Sequence, residues 1–190
     1  MQLIGLLSSS LFLASIAASQ TRETLVSAIK DSTILRSTVS CPNCPERNCY
    51  KCTLGHERTL QAKSGGLSYI RMLIGFELPS SLTTFRQCTL QVAEFTGPRE
   101  YPVNVTVAQA LTSDWDESTV TGESAPGSHE PFTTAAVPSH TNIGPIDITK
   151  ACRDAGSNGQ FSVYVGTRSD SIEIWSKDSG RPAILRINYT

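Results

Sequence analysis

Four of the six cysteines in this chain of 190 residues fall within one short stretch, "CPNCPERNCYKC" at 41–52. The spacing is Cys-x2-Cys, four residues, and Cys-x2-Cys again. Three chemistries use such pairs: tetrahedral zinc thiolates, a redox dithiol, and disulfides. A zinc site of this type usually has a longer stretch between its pairs, so that each pair sits on its own turn; here only Pro45, Glu46, Arg47 and Asn48 intervene. A redox motif needs a βαβ surround, which this sequence lacks. Compartment separates the remaining readings, because disulfides persist where the surroundings are oxidising.

The N-terminus speaks to compartment. "MQLIGLLSSSLFLASIAAS" carries no charged side chain and ends in small residues, with Ala17 and Ser19 placed as at a signal-peptidase site. We read residues 1–19 as a signal peptide and 20–190 as one domain, secreted and extracellular. Disulfides then become the default for Cys41, Cys44, Cys49, Cys52, Cys88 and Cys152. The simplest arrangement has two local bridges within 41–52 and a long-range bridge from Cys88 to Cys152. Asn104-Val105-Thr106 is a glycosylation sequon, with Asn104 as the acceptor.

Catalysis finds little support. His56, His129 and His140 lie in turn-rich stretches, and neither a Gly-x-Ser-x-Gly elbow nor a His-Glu-x-x-His pair is present. No catalytic residue is expected. Asp114, Asp116 and Glu117, joined by Asp31 or Asp147, offer oxygen ligands for calcium. The run lacks the glycine and regularly spaced oxygens of a calcium loop, so a solvated acidic turn is the expectation, with no metal or cofactor. A net charge of −1 gives no general attraction to nucleic acid or anionic membrane, and no second apolar span follows the first.

The elements that must position these residues are strands. Alternation of period two places Cys88, Leu90 and Val92 on one face, then Val103, Val105 and Val107, then Phe161, Val163 and Val165, then Ala183, Leu185, Ile187 and Tyr189. "LSYIRMLIGFEL" at 67–78 is longer and more continuously apolar than the other runs, which predicts a central strand buried on both sides. The stretch "TGESAPGSHEPFTTAAVPSHTNIGP" predicts a surface loop with a short strand near "TTAAV", and "TKACRDAG" one helical turn. Short strands and frequent Gly/Pro turns predict an all-β, disulfide-stapled jelly-roll sandwich of two antiparallel sheets.

The order of motifs resembles the DNRLRE domain, also classed as carbohydrate-binding module family 96. The residues that carry the resemblance are Arg71 with Phe76-Glu77-Leu78, Trp115 with Glu117 and Thr119-Val120, Asp147-Ile148-Thr149, Ser176-Lys177-Asp178, and Pro182 to Tyr189. Ala28 to Asp31 echo an early "A-x-x-D". Glu77 and Asp178 depart from the usual Asp and Glu, and the cysteine cluster lies outside the pattern. The resemblance implies an extracellular sandwich that binds polysaccharide, acidic glycans in some members, without cutting it. A protein partner is the alternative.

Sugar binding on a sandwich needs an aromatic face and a few orienting polar groups. If Ser169-Asp170 is a two-residue turn, Tyr164 pairs with Trp175 on the outer side of the hairpin, with Arg168 and Glu173 nearby. The expected carbohydrate-binding residues are therefore Tyr164, Trp175, Arg168 and Glu173. The competing reading has Trp175 packed beneath a loop. Trp115 is expected to be a structural anchor, and Arg71 and Arg186 to point outward, bind an acidic ligand, or pair with a carboxylate such as Glu77 or Glu94.

Overall fold

The computed structural model describes residues 21–37, 40–63, 70–80, 85–155, 159–168 and 171–190. The expected signal peptide and the Ser169-Asp170 turn lie outside them.

Eleven strands and one helix make up the described fold: β1 (Arg22–Ser27), β2 (Lys30–Leu35), β3 (Thr59–Lys63), β4 (Ile70–Glu77), β5 (Phe85–Gln91), β6 (Val103–Gln109), β7 (Thr133–Val137), β8 (Ile146–Asp147), α1 (Thr149–Ala155), β9 (Gln160–Thr167), β10 (Ser171–Trp175) and β11 (Ile184–Tyr189). They form two sheets, one in the order β1-β11-β5-β8 and one in the order β10-β3-β4-β9-β6-β7 with β2 on β4. Every named pairing is antiparallel. The predicted all-β sandwich is the fold observed.

The central strand is β4, as its long, mostly apolar run predicts; Arg71 to Phe76 are all buried. Residues 72–77 pair with β9 and residues 70–75 with β2. A strand has only two edges, so β3, which shares just the Lys63–Ile70 pair with β4, splays away. Beside the splay, the Gln61 N–H donates to Thr33 Oγ1 at 2.9 Å. Farther out, β10 pairs with β3 and also bridges through Ile174 to Phe95, just beyond β5. The two sheets thus meet at this edge of the sandwich.

Inward residues fill the space between the sheets: Met72, Ile74 and Phe76 meet Phe161, Val163 and Val165, with Leu90, Leu185 and Ile187 opposite. Burial of apolar surface at about 25 cal/mol per Å² is the main favourable term. A second, smaller cluster lies on the other face of the larger sheet. Ile34, Leu73 and Tyr164 of that sheet are covered by Ala110, Trp115, Val120 and Ala125 of the following segment.

All six cysteines are bonded: Cys41 to Cys49, Cys44 to Cys52, and Cys88 to Cys152. The two local bridges interleave. The long one ties β5 to α1.

Candidate functional site

The expected hairpin does not form. Strand β9 pairs with β4 and β6, and β10 pairs with β3, so Tyr164 lies beside Leu73 and Ala108 while Trp175 lies beside Thr59. The side on which Tyr164 projects follows the predicted parity, away from Val163 and Val165, but segment 110–128 covers that side. Tyr164 is 0% exposed. Its hydroxyl donates to the Pro126 carbonyl at 2.6 Å, and the Arg71 guanidinium stacks 3.5 Å from the ring centroid. Tyr164 therefore presents no surface to a ligand, and the expected Tyr164–Trp175 platform is corrected.

Arg71 also departs from expectation. It is buried and meets no carboxylate among the described residues; it donates to Ser128 Oγ and the Pro126 carbonyl. Burial lowers its pKa and raises that of Tyr164. The face of Tyr164 takes the place of an anionic partner. Arg186, by contrast, pairs with Glu23 at 3.1 Å.

A polar strip with an aromatic end does exist, on β3 and β10. Ile172 and Ile174 point into the core, so Ser171, Glu173 and Trp175 share the opposite side, in register with Lys63, Gln61 and Thr59. Glu173 Oε1 accepts from Thr59 Oγ1 and Gln61 Nε2, each at 2.9 Å, and Oε2 accepts from Thr96 Oγ1 at 2.8 Å. These bonds, that from Thr96 first, hold the carboxyl below its usual range, so it stays ionised and fixed in place. Trp175 is half-buried. The Arg181 guanidinium lies 5.2 Å from its ring and pairs with Glu94 at 3.4 Å. A concavity of about 490 Å³ adjoins the strip, lined by Gln61, Lys63, Thr96, Arg99, Ser171 and Glu173 among others.

Two of the four expected residues, Glu173 and Trp175, thus share one face. Arg168 is exposed at the end of β9, where its N–H reaches the Asn104 carbonyl, and does not line the concavity. Sequence reasoning missed Gln61, Thr59 and Thr96. The alternation in "TLQAK" marks the outward residues of β3, but nothing local says that β10 lies beside it.

The residues that carry the family motifs converge elsewhere. The Asp31 N–H donates to Glu117 Oε1 at 2.6 Å, and the Lys177 N–H to Asp31 Oδ2 at 2.8 Å. Lys177 Nζ bridges Glu117 and Asp178 at 2.9 and 3.1 Å. His56 adjoins them, within 4.8 Å of both carboxylates, and its Nε2 meets Ser118 Oγ. Lys177 thus supplies counter-charge to both carboxylates. Of the oxygen ligands that the sequence offers for calcium, Asp31 and Glu117 adjoin. Asp147 lies on the other sheet and accepts from the Thr149 N–H, and Asp116 accepts from the Ser118 N–H.

Asp31 is almost fully buried, and its pKa is pushed up to about 6, chiefly by burial. Next to this network Lys30 lies over the Trp115 ring at 4.4 Å and donates to the Ser113 and Trp115 carbonyls. The indole N–H donates to Ser162 Oγ at 3.0 Å, which makes Trp115 the structural anchor expected. The motif residues therefore lock segment 113–120 onto the larger sheet.

The family model for carbohydrate-binding module family 96 matches residues 51–189. An "Uncharacterized secreted protein" of Arthroderma benhamiae is 56% identical over 162 residues, spanning 85% of this chain and 83% of that protein. Cys41, Cys44 and Cys49 precede the matched region.

Proposed function

This chain belongs to carbohydrate-binding module family 96, and from that premise we propose that it is a secreted, non-catalytic protein that binds polysaccharide on the outer face of β3 and β10. The single observation that carries the site is the alignment of a half-exposed indole, Trp175, with a fixed carboxylate, Glu173, on one rigid strand pair beside a concavity. Trp175 offers apolar area for a sugar ring, while Gln61, Thr96 and Lys63 offer orienting groups for its hydroxyls. Secretion is supported by the pairing of all six cysteines and by the secreted relative. Asn104, exposed on β6, is the proposed glycan acceptor.

Retention of the oxidised protein on insoluble and acidic polysaccharides (chitin, β-glucan, cellulose, alginate) tests the reading, with Trp175→Ala alongside. Retention of the wild type and its loss in the variant are expected. Equal retention of both would move the site away from β10. No retention of either would favour a protein partner over a glycan.

A further inference from the structure

A second recess lies on another part of the molecule, where segments 110–114 and 129–132 face α1. Two concavities there, of about 390 and 510 Å³, share Gln109 and Asp154 and so form one trough. Each falls within the roughly 300–1,000 Å³ typical of small-molecule sites. Its walls are fixed in advance. The His129 N–H donates to the Gln109 carbonyl, the Phe132 N–H to that of Val107, and the Leu111 N–H to that of Gly127. On the other side α1 is held by the Cys88–Cys152 bridge and by Arg153, which donates to the Phe85 and Arg86 carbonyls.

The lining has the chemistry of a sugar site with a particular sign of charge. Phe132 is half-exposed and gives an apolar surface. Among the described residues the side chains of Gln109 and Glu130 have no hydrogen bond or ion pair within the protein, so both are available to a ligand. Asp114, Glu130 and Asp154 bring three carboxylates; Lys150 lies 2.6 Å from Asp154 and Lys30 attracts Asp114 from outside the lining, so Glu130 is the carboxylate with no cation partner among the described residues. Such a trough repels uronates and attracts ammonium groups.

We propose that this trough is a second oligosaccharide site, selective for amino sugars in their ammonium form. It shares no lining residue with the Trp175 face, so either site can fail without the other.

Titration of the disulfide-intact protein with a glucosamine tetramer, followed by calorimetry and amide chemical shifts, tests the proposal. Binding is expected to shift resonances of 109–114, 129–132 and 150–155. It should weaken about threefold to fivefold in Glu130→Gln, and with added salt. Trp175→Ala should leave it unchanged. Absence of binding overturns the proposal, as does binding that Glu130→Gln leaves intact. Equal affinity for an N-acetylated tetramer overturns its charge selectivity. Glu130 is exposed, so its replacement tests the site without threatening the fold.

Discussion

Asp31 shows how a single position converts burial into pH dependence. Its ordinary value of 3.8 rises to about 6 in the folded protein. Between those values the folded chain keeps a proton that the unfolded chain has lost. The cost of the charged form is therefore full above pH 6 and fades as pH falls toward 3.8. That interval corresponds to about 3 kcal/mol. Wild-type stability in urea should fall as pH rises from about 4 to about 6, and Asp31→Asn should remove that component of the slope. Parallel curves for the two proteins would show that Asp31 does not titrate there. Parity at such positions was legible in the sequence, and surroundings were not: Tyr164 projects to the predicted side, yet it is covered by Pro126 and stacked on Arg71.

Between elements, the decisive contact is the docking of segment 110–128 on the larger sheet. It depends on close backbone approach. A Cβ at Gly122 would lie 1.9 Å from the Leu35 carbonyl oxygen, and one at Gly55 would lie 1.9 Å from that of Glu117. Neither backbone can yield cheaply. Gly122→Ala should cost about 1–3 kcal/mol, read as a lower urea midpoint. Gly144→Ala, with nothing within 4 Å of its Cβ, should cost far less and serves as the control. Equal midpoints for the two variants would mean that the segment is loosely docked. The cysteine-braced stretch abuts the same segment, since the Glu123 N–H donates to the Tyr50 carbonyl. The two interleaved bridges therefore stiffen a buttress for the cover over Tyr164.

For the molecule as a whole, the disulfides differ in reach. Cys88–Cys152 spans 64 positions and each local bridge spans 8. Loop-closure entropy assigns about 4 kcal/mol to the long bridge and about 2.5 to a short one. Replacing Cys88 and Cys152 together by Ala should therefore lower global stability more than replacing Cys41 and Cys49. Thermal unfolding of the two double variants checks the order, and the reverse order would place the main stabilising effect in the buttress. What the sequence determined by itself follows from local periodicity and cysteine spacing: two-sheet β architecture, a doubly buried β4, and the split of six cysteines into a local set and a distant pair. Only the tertiary structure decided that β10 lies against β3 rather than β9, that Glu173 meets Thr59, Gln61 and Thr96, and that the outer side of Tyr164 is roofed. The physical reason is that a period of two states which residues share a side of one strand. Which strand lies next to it, and what packs over that side, depend on contacts between residues far apart in the chain.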